Sequence, residues 1–272
     1  MPGAIPITGD FDGDGYDEIG VYAEGEWFID LNGNGEWDSS DLWAKLGTHK
    51  DYPVTGDWDG DGKADIGIYG REWQGDSAAV AAEPGLPDEE NRTYDEKKNV
   101  PPTGEEAAER QRLMRKGQSG KLRADVVDHT FRFGRKADFP ITGDWNGDGI
   151  STIGVFRDGL WRLDVDGNGR WSDNDEKYEF GQEGDTPLVG DFDGDGIDDL
   201  AVFRAGVVIV DTNGNGKIDS SDRRIQIGQA GDQPVVGDFD GDGIDEIVIY
   251  RAGGESQSVV YEARRWLRQN HR

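Results

Sequence analysis

Gly-Asp, an aromatic residue and then Asp/Asn-Gly-Asp-Gly occur together five times, starting at Gly9, Gly56, Gly143, Gly190 and Gly237. Three of the four intervals are 47 residues and the other, from Gly56 to Gly143, is 87, so the second repeat carries an insertion. A second landmark, Gly-x-x-x-Asp-x-Pro, precedes each of the last four copies: Gly47/Asp51/Pro53, Gly134/Asp138/Pro140, Gly181/Asp185/Pro187 and Gly228/Asp232/Pro234. The first copy keeps only Pro6 of it. A fixed period of this length implies small units that bury their apolar faces on one another.

Inside each repeat, short β-rich runs alternate with Gly/Asp/Asn turns. One run ends at the acidic loop (Pro53–Gly56, Pro234–Gly237) and another follows it (Ile66–Tyr69, Leu200–Phe203). A third run (Trp27–Asp30, Trp161–Asp164, Val208–Asp211) leads to a second acidic loop and an alternating stretch such as Leu42/Ala44/Leu46. Four strands in 47 residues, with no helical period, is the arithmetic of a propeller blade. The expected fold is all-β, a β-propeller of about five four-stranded blades forming one domain over residues 1–272, with repeats starting near 5, 52, 139, 186 and 233. A β-solenoid has far shorter coils, and a two-sheet sandwich has no need of five near-identical loops. The fifth repeat has room for two strands through Tyr250, a third over Val259–Tyr261 and a short basic helix over Glu262–Gln269.

The acidic loops carry the chemistry. The first set reads Asp-x-Asp-Gly-Asp-Gly-x-x-Asp/Glu. Its members are Asp10/Asp12/Asp14/Glu18, Asp57/Asp59/Asp61/Asp65, Asp191/Asp193/Asp195/Asp199 and Asp238/Asp240/Asp242/Glu246. The copy in the third repeat is degraded to Asp144/Asn146/Asp148, followed by Thr152 at position 9. Oxygens at positions 1, 3 and 5 of a tight loop converge on one point, glycine at 6 allows the turn, and position 7 offers its carbonyl (Tyr16, Lys63, Ile150, Ile197, Ile244). The second set has EF-hand-like spacing with Asp at position 12. It comprises Asp30/Asn32/Asn34/Glu36/Asp38/Asp41, Asp164/Asp166/Asn168/Arg170/Ser172/Asp175 and Asp211/Asn213/Asn215/Lys217/Asp219/Asp222. Carboxylates packed this closely repel, so a cation is expected among them. Hard oxygen donors without His or Cys select Ca²⁺ over Mg²⁺ or Mn²⁺, with up to about eight ions.

Net charge supports this reading. The chain has 57 acids, 29 bases and a formal charge of −28. Twenty-seven acids stand at the ligand positions above, leaving 30 against 29 bases. Turn chemistry alone accounts for Asn-Gly pairs, but not for four carboxylates at one repeated spacing. The same acidity argues against nucleic acid, which needs clustered Lys/Arg. No run of 18 apolar residues is present. The absence of cysteine removes disulfides, thiolate metal sites and thiol nucleophiles.

The signature Gly-Asp-Phe-Asp-Gly-Asp-Gly-x-Asp-Asp/Glu-Ile/Leu, as at Gly190–Leu200 and Gly237–Ile247, resembles the FG-GAP/VCBS repeats of integrin-α-like β-propellers. The resemblance covers nearly the whole chain outside the insertion. It implies a propeller with one structural calcium in the loop between the first two strands of each blade, and an adhesion or ligand-binding role in surface and secreted proteins, sometimes attached to hydrolases or lyases. The short blades and the second, EF-hand-like loops depart from that family pattern. The Phe-Gly…Gly-Ala-Pro element is absent.

The insertion, residues 71–127, is polar. Thr103 and Glu106 read as the capping box of a helix over about 105–116. Arg71 and Trp73 at its entrance are candidate ligand-binding residues, although Trp73 also aligns with strand residues Trp27 and Trp161. Asn91-Arg92-Thr93 fits a glycosylation sequon.

No nucleophile motif accompanies His49, His129 or His271. The leading expectation is a non-catalytic, calcium-stabilised propeller for recognition or scaffolding, with a protein or glycan as partner and no insertion into membrane. Its setting is expected to be extracellular or at the cell surface, where millimolar calcium suits weak sites, although Met1–Pro6 shows no signal-peptide pattern. Two alternatives stand beside it. A glycan-binding propeller would show equivalent Trp residues, such as Trp27 and Trp161, facing solvent. A Ca²⁺-dependent lyase or hydrolase would place its site at the insertion.

Overall fold

A computed structural model describes residues 4–58, 60–70, 129–130, 133–135, 137–167, 169 and 171–250. The described chain is all-β, with no helix, and is built of several small sheets. It divides into two compact units, Met1–Lys136 and Ala137–Arg272. The insertion with its helix, Arg71, Trp73, the sequon and the third strand and helix of the fifth repeat lie outside the described residues.

Repeat 1 is an antiparallel meander of β1 (Ile5–Gly9), β2 (Glu18–Ala23), β3 (Glu26–Ile29) and β4 (Leu42–Lys45). Repeat 2 contributes β5 (Asp51–Gly56), β6 (Asp65–Gly70) and the short β7 (His129–Thr130). In the second unit, repeat 3 forms β8 (Phe139–Gly143), β9 (Thr152–Arg157), β10 (Leu160–Leu163) and β11 (Glu176–Glu179). Repeat 4 forms β12 (Thr186–Gly190), β13 (Asp199–Arg204), β14 (Val207–Val210) and β15 (Arg223–Gln226). Repeat 5 supplies β16 (Gln233–Gly237) and β17 (Glu246–Tyr250). Repeats 1, 3 and 4 thus carry the four strands their sequence pattern predicts, in sequential order. Repeat 2 differs, because β7 pairs with β6 and runs parallel to it. A fourth strand in a meander runs parallel to the second, so β7 keeps that direction while occupying the third strand's place.

The β2–β3 type hairpins show how local sequence sets the register. Ala23 pairs with Glu26, Arg157 with Leu160 and Arg204 with Val207. Each pairing leaves a two-residue turn, Glu24-Gly25, Asp158-Gly159 or Ala205-Gly206, with positive φ at both residues. That is the type I′ geometry matching strand twist. The glycine is doubly constrained, since a Cβ on Gly25 would lie 2.3 Å from the carbonyl oxygen of the landmark Gly47. Gly206 meets the Gly228 oxygen in the same way.

Period-2 alternation then decides which side chains are buried. In β3, Trp27 and Ile29 are fully buried, and in β10 Trp161 takes the same position. Each indole crosses an aromatic ring of the preceding strand edge-on, Tyr22 at 5.0 Å and Phe156 at 4.9 Å. Each indole N–H donates to the carbonyl that follows the fourth strand, on Leu46 or Phe180. These tryptophans are core residues, and truncating one to Ala costs about 3–5 kcal/mol. Solvent-facing Trp27 and Trp161, the mark of the glycan-binding alternative, are not what the fold provides.

The cores lie between consecutive sheets. One joins Ile7, Trp27 and Leu42 of repeat 1 to Ala64, Ile66 and Ile68 of repeat 2. A second joins Ile141, Trp161 and Phe180 of repeat 3 to Leu200 and Val202 of repeat 4, and a third joins Leu188, Phe203 and Val210 to Ile247 and Ile249 of repeat 5. Within each unit the first strands approach one another, β1 with β5, and β12 with both β8 and β16. This arrangement gathers the first-set loops of neighbouring repeats.

Candidate metal-binding loops

Each first-set loop is wound around its first carboxylate. Asp10 accepts hydrogen bonds from the N–H groups of Gly13, Asp14 and Gly15 at 2.6–3.1 Å. Asp57, Asp144 and Asp191 hold the equivalent three N–H groups. Asp238 holds those of Asp242 and Gly243. The glycines at positions 4 and 6 have positive φ throughout, as a loop folded this tightly requires. Position 7 donates its own N–H back to the position-5 carboxylate, from Tyr16 to Asp14, Lys63 to Asp61, Ile150 to Asp148 and Ile197 to Asp195. Position 9 closes the other side. Glu18, Asp65, Asp199 and Glu246 each accept from the N–H of position 2, at 2.8–3.3 Å.

Carboxylate oxygens are thereby brought together. Ligand atoms of Asp10, Asp12, Asp14 and Glu18 all lie within 4.8 Å of one another, as do those of Asp191, Asp193 and Asp199 and those of Asp238, Asp240 and Glu246. These groups can hold a metal ion. Asp195 and Asp242 lie on the same loops but outside those close groups. In repeat 2, Asp59 lies outside the described residues, while Asp57, Asp61 and Asp65 keep the loop's hydrogen bonds. The degraded loop forms no such group: Asn146 turns its amide onto Asp148, and the buried Thr152 hydroxyl at position 9 has no hydrogen-bond partner.

The electrostatics match crowding. Burial pushes the Glu18 carboxyl up to about 8, against the Phe11 N–H and reinforced by Asp12, Asp10 and Asp14. Burial and Asp193 push Asp199 up to about 7. Asp12 is also raised, by burial and then by Asp14 and Asp10, with Lys63 opposing.

The second-set loops are arranged differently. Asp30 accepts from Asn34 and Gly35 N–H, Asp211 from Asn215 and Gly216, and Asp164 from Gly169. At position 9, Asp38 draws in the side-chain amides of Asn32 and Asn34, and Asp219 those of Asn213 and Asn215. These donors, with Ser40 and Ser221 N–H foremost, hold Asp38 and Asp219 below the ordinary carboxylate value. At position 12, Asp41, Asp175 and Asp222 each accept the N–H of position 9. In repeat 3, Asp164, Asp166 and Asp175 bring ligand atoms within 4.8 Å of one another. Asn168 and Arg170 lie outside the described residues.

Three further second-set positions take part in the loops' own hydrogen bonding. Glu36 and Lys217, at position 7, are exposed. Their N–H groups brace the loop by donating to the side-chain oxygens of Asn34 and Asn215, at 2.5 and 2.8 Å. The Glu36 carboxylate stands outside the close acidic groups, in keeping with a position that offers its backbone carbonyl and not its side chain. Ser172 takes position 9 in repeat 3, where the other two loops have aspartate. Its N–H donates to Asp175 and its hydroxyl accepts the Asn174 N–H at 3.0 Å. That hydroxyl also lies 3.5 Å from Asp166. Ser172 therefore holds the position-3 and position-12 acids in place, and the close group of this loop is made by positions 1, 3 and 12.

Positions 7 and 8 of the first-set loops have a further role, which the loop pattern does not show. The N–H of Asp198 donates to the Asp144 carbonyl, and its carboxylate accepts the Asp144 N–H. Asp245 makes the same reciprocal clasp with Asp191. Asp198 is pushed up to about 7, chiefly by burial, then by Asp144 and Asp191 against the pull of the Asp144 N–H. Between repeats 1 and 2 the clasp keeps only its backbone half, Ala64 N–H to the Asp10 carbonyl at 2.7 Å. There Lys63, at position 7, extends its ammonium to the Asp12 carbonyl at 2.5 Å. The sequence signal was an Asp at position 8 in three copies, Asp17, Asp198 and Asp245.

The landmark Asp is placed as well. Asp51 caps the N–H and hydroxyl of Thr48. Asp185 receives two hydrogen bonds from Arg204 at 2.7 Å, and Asp138 pairs with Arg157. No family model matches the sequence, and no curated protein matches it.

Proposed function

We infer that the chain is a calcium-stabilised, non-catalytic β-propeller that serves outside the cell as a recognition, adhesion or scaffolding module. What supports the fold is the recurrence of one antiparallel meander, with first strands adjacent between successive repeats in each unit. The observation that carries the cation is the convergence of carboxylate oxygens in the first-set loops of repeats 1, 4 and 5. Three or four acids within 4.8 Å of one another are stable together at neutral pH when a divalent ion sits among them. Oxygen-only donors favour calcium. Asp10, Asp12, Asp14 and Glu18 would hold it in repeat 1, and their counterparts in repeats 2, 4 and 5. The ion's role is to neutralise the loop and fix the ends of two strands. The partner would be a protein or a glycan on a surface away from these loops.

The experiment is calorimetric titration of chelator-cleaned protein with CaCl₂, with thermal melts in calcium and in chelator. Binding to the folded state alone stabilises by about 2.7 kcal/mol per site at a hundredfold excess over Kd. No heat and an unchanged midpoint would reject the reading.

A further inference from the structure

We propose that the second loops of repeats 1, 3 and 4 are a second class of divalent-cation site, closed by one oxygen of Asp41, Asp175 and Asp222 and weaker than the first-set sites. This deepens the calcium reading but stands on different residues. In all three loops Oδ2 of the position-12 aspartate is committed to the position-9 N–H, while Oδ1 is buried with no hydrogen-bond partner. Asp41 is 0% exposed and Asp222 7%. A buried carboxylate oxygen left without a donor is costly. The same orphan oxygen, in three loops of the same register, indicates a common occupant.

The rest of each loop identifies that occupant as a cation. Position 1 accepts the position-6 N–H in Asp30 and Asp211, and position 12 accepts the position-9 N–H in Asp41 and Asp222, so the two carboxylates bracket one loop. In repeat 3 that proximity is explicit, with Asp164, Asp166 and Asp175 in one group. Asp38 and Asp219 are positioning residues here. Their carboxylates hold the NH₂ groups of Asn32/Asn34 and Asn213/Asn215, which fixes the amide oxygens of those residues. Repeats 1 and 4 therefore bring two carboxylates and two amide oxygens to the ion. The first loop of repeat 1 brings four carboxylates. Affinity for calcium follows ligand charge, and the first loops of repeats 4 and 5 carry a fourth acid, Asp195 or Asp242, beside their close groups of three, so the two sets separate into a tight and a weak class, with the repeat 3 second loop, at three carboxylates in all, between them.

The test compares the full chain with the triple variant Asp41→Asn/Asp175→Asn/Asp222→Asn. Asparagine keeps an oxygen for the position-9 N–H and puts an NH₂ where the orphan oxygen stood. Calcium titration of the wild type should show two phases. The triple variant should lose the weaker one, by roughly tenfold or more in affinity, and retain the tight one. In chelator the variant should melt above the wild type, because buried carboxylate oxygens without partners are gone. In saturating calcium that advantage should vanish or reverse. The single variant Asp222→Asn repeats the experiment at one loop and should remove one weak equivalent. A weak phase retained by the variants, a single-phase wild type, or equal destabilisation with and without calcium would overturn the proposal. A wild type that shows the weak phase without the tight one would instead sink the first-set reading.

Discussion

The junction between repeats 1 and 2 and the junctions between repeats 3, 4 and 5 use one backbone contact with opposite electrostatics. In the first unit, loop 1 receives the Lys63 ammonium on its Asp12 carbonyl and the methyl group of Ala64 beside Gly9. In the second unit, the equivalent residues are Ile197-Asp198 and Ile244-Asp245. Each isoleucine packs on the position-4 glycine of the preceding loop, Gly147 or Gly194, and each aspartate clasps that loop's first N–H. One junction adds a positive charge to an acidic loop and the other two add a negative one. An aligned backbone therefore leaves the demand for a cation open, because neighbouring repeats set it.

Removing divalent ions should break this comparison most visibly. Chelation is expected to loosen both units, but residues 137–250 more than 4–70, since Asp198 and Asp245 gain repulsion while Lys63 compensates loop 1. Hydrogen exchange on peptides from each unit, with and without chelator, measures the difference, and equal protection loss would count against it. Next in size is Gly190→Ala. A Cβ there would lie 2.5 Å from an Asp245 carboxylate oxygen and 2.6 Å from Val236. Overpacking of this kind costs about 1–3 kcal/mol, read as a lower denaturation midpoint, and Asp245→Ala in the same chain should recover part of it.

Asp198→Ala should come third. It keeps the backbone bond but orphans the Asp144 N–H, a loss of about 1–3 kcal/mol. Asp198→Asn keeps an acceptor and should cost less.

The pH dependence sharpens the same contrast. Asp198, Asp199 and Glu18 have folded-state values raised to about 7, 7 and 8. The folded protein then binds more protons than the unfolded one between about pH 4 and 8, so metal-free stability falls as pH rises through that window. Acidifying chelated protein from pH 8 to 5 should raise its melting temperature, and Asp198→Asn should shrink that gain. With calcium bound the trend should reverse, because protons compete with the ion. The smallest effect expected is from Ala64→Asp, which supplies the missing half of the clasp at the first junction. A gain of about 0.5–1.5 kcal/mol is the ordinary return on one hydrogen bond, and Lys63→Ile beside it should erase the advantage in chelator.

Much of the strand plan and of the loop chemistry was legible. The wrapping of Gly13–Gly15 around Asp10, or of Asn34 and Gly35 around Asp30, involves residues within five of one another. Turn type follows just as locally from Asp158-Gly159. Spacing did not show how the loop positions bond to one another. At position 9 of repeat 3 the Ser172 hydroxyl accepts the Asn174 N–H, a contact within the loop that register alone does not specify. The reason for the glycine that opens every Gly-Asp signature was not legible either. Gly143 and Gly190 leave room for Asp198 and Asp245, which reach them from the next repeat. The division of Trp27 and Trp161 into core rather than surface also needed the packing of the sheets, because alternation says that one face is buried but not which neighbour buries it.

Sequence alone determined what depends on short range: period, strand order within a repeat, turn geometry and the spacing that gathers oxygens. Those contacts close loops of about a dozen residues or fewer, and closing them costs little chain entropy. The tertiary structure decided which charge each loop meets from outside. The clasp joins residues 54 positions apart, such as Asp144 and Asp198, and such a partner is fixed only when one sheet packs on the next.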